Sequence, residues 1–373
     1  MPAINPALAD ASNALVLTAV LLYALAMLCY ACDFAFRKER LVAPEKTAVA
    51  EAEGQAGVKV PELVGASSAS VAASAADSAV ATAGPAGSAA VTGSAGSGGS
   101  GAASGGSASG GAVGTSRWPT GFWLRTAFTL TCVGALTHIA DIVARGLAEH
   151  RVPWGNMYEF IAAITCMAVL VMIAVSVRFR AYYIGLFVLL PVVLSLAVDV
   201  TFVYTPAGSL VPALNSYWIA IHVTAMIVAI GLFLVGAVVN VMYLVAERSE
   251  RRLAAGLPSK TEGLMMHLPG TTVLDRLAYR TILFAFPVWT FGVIAGAIWA
   301  DHAWGRYWGW DPKETWSFIT WIVYAGYLHA RATGGWRGRR AAFIQLVGFG
   351  CLLFNVIGIN LWVTGLHSYA GMG

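Results

Sequence analysis

The segment "HAWGRYWGWDPKETW", His302 to Trp316, sets four tryptophans and a tyrosine among acidic and basic side chains. On a helix, Trp304 and Trp308 would share one face, because residues four apart are neighbours there. Trp310 and Trp316 widen the flat apolar area, and Gly305 and Gly309 leave room for a large plate to approach the backbone. Arg306 and Lys313 could meet carboxylates, while Asp311 and Glu314 read as hydrogen-bonding groups that orient the segment. Neutral imidazoles are axial ligands for haem iron, and a porphyrin with two propionates fits aromatic surface, cationic edges and histidines together. An aromatic belt at headgroup level would explain the tryptophans. It would not explain the ordered glycines or the run Asp311-Pro312-Lys313-Glu314.

The other residues able to do chemistry lie inside apolar runs. His138, Asp141, Glu159, Asp199 and His222 fall near the same end of their respective runs, and together they suggest one outward-facing cavity, since ionisable groups in spans face a bundle interior or a wet space. His329 stands apart, deep in "TWIVYAGYLHARAT", and His367 follows the last apolar run in "TGLHSYAG". His302 flanks the tryptophan segment and could assist a ligand pair; His150 and His267 lie in connections. All 5 cysteines are in apolar runs, so no disulfide framework is readable, and Cys29-Tyr30-Ala31-Cys32 reads as two small residues on one helix face. No phosphate loop, nucleic-acid patch or hydrolytic triad is visible.

Membrane helices must position these groups. The 373 residues are 58% hydrophobic and 11% charged, with a mean hydropathy of +0.70, against about a quarter charged in soluble domains. An all-α polytopic membrane protein follows, with about eight transmembrane helices near 14–36, 120–143, 157–177, 181–204, 217–246, 279–300, 315–333 and 341–363. The first run ends rather than begins in positive charge and so reads as an anchor, not a cleaved leader. Of 23 Lys and Arg residues, alternation of the spans leaves only Arg145, Arg151, Arg306 and Lys313 outside. Positive residues collect on the cytoplasmic side, which places both termini and the tryptophan segment extracytoplasmically. Composition divides the chain into an N-terminal transmembrane helix (1–40), a flexible Ala/Gly/Ser-rich cytoplasmic linker (41–117) and a seven-helix core (118–373) with its motif at 304–316.

The stretch "WGRYWGWDPKETW" resembles the WWD motif of haem-handling proteins, in the form found in the CcsA/ResC family of cytochrome c biogenesis proteins (System II). "RVPWGNMYEF", "SYWIAIHV", "YLHARAT" and "NLWVTGLHSYAG" are similar to further segments of that family, and the likeness covers about residues 120–373. The resemblance implies that His222 and His367 are axial ligands of haem b held on the tryptophan shelf, and that His329 binds haem in transit with a partner's histidine. It implies a haem-binding and haem-translocating subunit of a holocytochrome c synthase (haem lyase) in a bacterial plasma membrane. Its partners would be a ResB-type membrane subunit, an apocytochrome c bearing C-x-x-C-H, and a thioredoxin-like thiol reductant, with no nucleic acid. Two other readings stay open: an exporter that only hands haem on, and a membrane b-type electron carrier using His222, His329 and His367. His138 is expected to pair with Asp141 in a structural role.

Overall fold

Along the first helix, the residues that turn inward are small or polar-tipped and those that turn outward are leucines. Ser12, Val16, Ala19, Tyr23, Ala26 and Tyr30 are buried, whereas Leu17, Leu21, Leu25 and Leu28 are exposed. This is the order expected where lipid is as apolar as leucine, so that close packing of small residues, rather than hydrophobic burial, brings helices together. The computed structural model describes residues 4–36, 119, 121–208, 214, 216–258, 261 and 268–367. The linker expected at 41–117 and His267 lie outside the described residues.

Every described element is helical. They are α1 (Pro6–Phe36), α2 (Phe122–Glu149), α3 (Met157–Phe179), α4 (Gly185–Val198), α5 (Tyr217–Ala254), α6 (Thr271–Trp304), α7 (Pro312–Ala332) and α8 (Arg339–Leu353). A short 3-10 turn, Tyr182–Ile184, leads into α4, and π-turns follow α4 at Asp199–Val203 and α8 at Phe354–Gly358. Seven helical segments among the described residues are long and apolar enough to cross a membrane. The segment expected as the remaining span, α7, is a 21-residue helix, but polar and aromatic residues spread along it, from Lys313 to Arg331, keep it out of that set. The chain is a multi-pass membrane protein.

Two apolar clusters hold the helices together. One joins α1, α2, α3, α4 and α5 around residues such as Tyr23, Phe128, Met172 and Leu189; the other joins α3, α5, α6, α7 and α8 around Phe233, Trp289 and Tyr324. Although the linker separates α1 from the core in sequence, α1 packs along α2. At the other end of α7, both guanidinium nitrogens of Arg331 donate to Asp275 of α6 at 2.8 Å, fixing the rotation of α7. That rotation buries Tyr324 and Tyr327 and leaves His329 exposed.

Candidate functional site

The tryptophan segment is a connection stapled at both ends. Helix α6 stops at Trp304, where Gly305 takes the left-handed conformation at φ 69° and its N–H bonds the Asp301 carbonyl. Glycine adopts this conformation without steric penalty. Trp308 is therefore beyond the helix, and the expected stacking of Trp304 and Trp308 on one helical face does not occur; a loop carries Trp308 to the cavity instead. Trp310 has φ 57°, an uncommon state for a bulky residue. Directly after it, Asp311 caps α7: its side chain accepts from Lys313 N–H, and Glu314 Oε2 accepts from Asp311 N–H at 3.0 Å and Gly309 N–H at 2.8 Å. With Pro312 at the first helical position, the sequence D-P-K-E is a capping box.

Asp311 has a second task. Its Oδ2 accepts from His367 Nδ1 at 2.8 Å, and its Oδ1 accepts from Leu366 N–H at 2.8 Å. Burial works against the Asp311 carboxylate, but the N–H groups aimed at it outweigh burial and hold its carboxyl below the usual range. Burial pushes the His367 imidazole towards its neutral form, which the nearby carboxylate only partly offsets. A neutral ring that donates from Nδ1 to a carboxylate presents Nε2 as its basic nitrogen, the arrangement that orients histidine ligands of metals.

His222 reaches the same state through backbone. Near the start of α5, its Nδ1 donates to the Gly292 carbonyl of α6 at 2.7 Å. One turn on, Gly296 makes room for the ring: a Cβ there would lie 2.6 Å from Nδ1. The imidazole runs parallel to the Trp299 indole, with an interplanar angle of 8° and centroids 6.3 Å apart. His367 lies 5.8 Å from the same indole and 5.1 Å from that of Trp304. Two imidazoles, one near the start of α5 and one beyond α8, thus converge around one tryptophan.

Both line a cavity of about 1080 Å³, a figure that includes the open space at its mouth. Trp304, Trp308, Lys313 and Glu314 also line it, and Lys313 Nζ donates to Asn360 Oδ1 at 2.8 Å. The other sequence candidates are placed differently. Asp311 stands behind His367, and Trp316 packs on Phe354 with centroids 4.3 Å apart. Trp310, 64% exposed, packs edge-on against Trp308 and Phe318 outside the cavity. Arg306 is exposed with its guanidinium against Gly309, and His329 is exposed on α7; neither is part of the lining. His302 Nδ1 donates to the Ile298 carbonyl of its own helix at 2.9 Å, and His302 is not among the lining residues.

Sequence reasoning missed Trp154, Trp289 and Trp299 as wall residues, together with Asn355, which the π-turn after α8 brings to the lining. Trp289 and Trp299 read as ordinary span residues because only helix rotation tells a lining side chain from a core one. The five polar residues expected in one cavity also separate. Of them only His222 lines it. His138 is fully buried and faces Tyr23, whose hydroxyl is 3.4 Å from Nδ1. It does not pair with Asp141, which accepts from Ser12 Oγ at 2.6 Å. Both correct partners come from α1, whose docking the linker concealed.

The donor set selects among ligands. Among the described residues no group of three or more His, Cys, Asp or Glu could cage a bare metal ion. Two imidazoles, indole walls and one lysine suit a planar macrocycle that brings its own equatorial nitrogens. Comparison with known proteins gives the family. The family described as "Cytochrome C assembly protein" matches residues 154–367. The chain is 34% identical over 306 residues to the cytochrome c biogenesis protein CcsA of Gloeobacter violaceus, covering 66% of this chain and 90% of that relative. It is 36% identical over 257 residues to CcsA of Guillardia theta, covering 64% and 83%, and 43% identical over 163 residues to CcsA of Chlamydomonas reinhardtii, covering 44% and 43%. With the match spanning α3 to His367, and hence both imidazoles and the loop between α6 and α7, the chain belongs to the cytochrome c assembly family of CcsA type and serves cytochrome c maturation, the biogenesis that joins haem to apocytochrome c.

Proposed function

We propose that the aromatic cavity binds haem b as cargo, with His222 and His367 as its axial ligands, and presents it outside the membrane for covalent attachment. The observation that carries this reading is the convergence of two imidazoles, each with Nδ1 committed to an oxygen, on one cavity walled by indoles. Nε2 of each is then the ligating nitrogen. Lys313 receives a propionate, with Arg306 for a second. Trp304 and Trp308 cover the macrocycle; Trp310 and Trp316 back them from outside; Asp311 and Glu314 hold the shelf and His367 in place. His329, exposed on the membrane face of α7, takes haem in transit together with a histidine of a ResB-type subunit. Both termini and the shelf face away from the cytoplasm, as the Lys and Arg distribution indicates.

The reaction served is addition. A cysteine thiol of a C-x-x-C-H segment forms a C–S bond to one carbon of a vinyl group, its proton goes to the other carbon, and no group leaves. The chain's residues contribute by fixing the plane of the macrocycle and controlling iron ligation, which is positioning rather than acid–base work. A thioredoxin-like reductant keeps the two thiols reduced. Co-expression of this chain with a ResB-type partner and a C-x-x-C-H reporter tests the reading. Covalent haem on the reporter, lost in His222→Ala, is expected. Haem release to another protein without covalent product would instead favour an exporter, and permanent haem with no release an electron carrier.

A further inference from the structure

The loop between α2 and α3 forms one wall of the cavity, and a buried group of charged residues holds its backbone while Trp154 packs against the apolar cluster around Phe233. Trp154, Gly155, Asn156 and Met157 all line the cavity. Behind them, Glu159 is buried and gathers donors from the whole loop. Its Oε2 accepts from Gly155 N–H and from Arg151, each at 2.8 Å; its Oε1 accepts from Asn156 Nδ2 at 2.9 Å and Arg151 at 3.0 Å. Asn156 Oδ1 in turn accepts Glu159 N–H at 2.9 Å, capping α3. Arg145 and Glu149 of α2 close the group: Arg151 lies 2.8 Å from Glu149, and Arg145 lies 3.2 Å from Glu149 and 3.4 Å from Glu159. One buried and one partly buried arginine therefore face two glutamates whose side chains are buried. Pairing is what makes such charges tolerable away from water.

Trp154 is the residue this frame places. It lines the haem cavity on one side and, on the other, a shallow apolar depression on the outer surface formed with Val152, Ile221, Thr224 and Phe291. The last four are exposed and lie on the loop and on α5 and α6, and Trp154 is the residue the two linings share. Its Nε1 is buried with no hydrogen-bond partner among the described residues. No side-chain hydrogen bond holds the indole; apolar packing holds it, on a backbone that Glu159 fixes one residue away.

We propose that Glu159 is a positioning residue that, through Gly155 and Asn156, holds Trp154 as the partition between the haem cavity and the surrounding lipid. The role of this partition is to retain an apolar macrocycle that would otherwise escape sideways. The inference rests on the cavity being a haem site. The measurement is the rate at which the full chain, loaded with haem b in nanodiscs, loses haem to excess apomyoglobin. Trp154→Ala is expected to release roughly tenfold faster, and Glu159→Gln by a similar factor, while both keep a low-spin spectrum because His222 and His367 are untouched. A contact acting through Trp154 is non-additive with it, so the double variant should release no faster than Trp154→Ala alone. Should Glu159→Gln fail to fold, Asn156→Ala, combined in the same way with Trp154→Ala, supplies the cycle. Release at the wild-type rate from folded Glu159→Gln or Asn156→Ala, or a double variant showing the product of the single factors, would overturn the proposal. A wild-type chain that takes up no haem overturns the cavity reading first, and is recognised by the absent spectrum rather than by a rate.

Discussion

The aromatic cavity and the polar cluster around His138 draw on the same residue types, yet only one is arranged to hold a ligand. His222 and His367 each donate from Nδ1 to a fixed oxygen and line open space. His138 is 0% exposed, and its ring meets Tyr23 of α1 edge-on with centroids 5.9 Å apart. Asp311 serves a histidine and caps a helix at once; Asp141 is occupied by Ser12. A histidine near an aspartate within a span therefore says little by itself. What separates ligand from scaffold is a committed Nδ1 together with empty volume in front of the ring.

The largest effect expected from breaking this contrast is on axial ligation. Ala at His222 or His367 should remove the bis-histidine spectrum, whereas His138→Ala should leave it intact. The latter strands the Tyr23 hydroxyl in an apolar environment and should cost about 1–3 kcal/mol of stability, read as a lower unfolding midpoint in detergent. Gly296→Val comes next: its side chain would occupy the space of the His222 ring, so haem content should fall nearly as far as in His222→Ala although no ligand has been removed. Asp311→Asn sharpens the His367 side of the comparison. Loss of the oriented carboxylate beneath a ligating histidine typically weakens binding about 10–100-fold, and haem titration should show that range.

Acid provides a smaller and graded test. Both Asp311 and His367 titrate below their ordinary values, so at neutral pH the carboxylate is charged and the imidazole neutral with Nε2 free to ligate. Acid first protonates Nε2, while the bond from Nδ1 to the carboxylate persists until Asp311 itself is protonated. Protons compete with iron for His367 only below its lowered pKa. The haem spectrum should therefore be constant from about pH 8 to about pH 6.5, the ordinary imidazole value, and decay only on further acidification. A midpoint at or above 6.5 would mean that the ring is not buried against Asp311 as described. The smallest effect is expected at Trp310, whose indole stands outside the cavity; Trp310→Phe should change haem affinity less than twofold.

How far the site was legible in the sequence depended on whether a feature was local. The apolar spans are short-range patterns, and among the described residues seven of the eight expected are long and apolar enough to cross a membrane. The capping box at Asp311–Glu314 is local too, yet its residues read only as hydrogen-bonding groups that orient the segment. The CcsA-type motif named the family because its residues are contiguous. Trp299 and Trp154 escaped because lining is a matter of helix rotation and loop closure, which hydropathy does not encode in spans that are apolar on every side. The His138–Asp141 pair misled for a related reason: residues three apart do share a helix face, but here α1 supplies a better partner to each. The linker made α1 look separate, and only packing restored it.

The central claim is most directly tested by reduced and oxidised absorbance spectra of the purified chain with its membrane partner, as wild type and as His222→Ala and His367→Ala. The account predicts a bis-histidine haem b spectrum in the wild type. In each variant that spectrum should be lost or broadened, and added imidazole should partly restore it. A wild type with ample haem supply and no Soret band, or a Soret band indifferent to both substitutions, would contradict it.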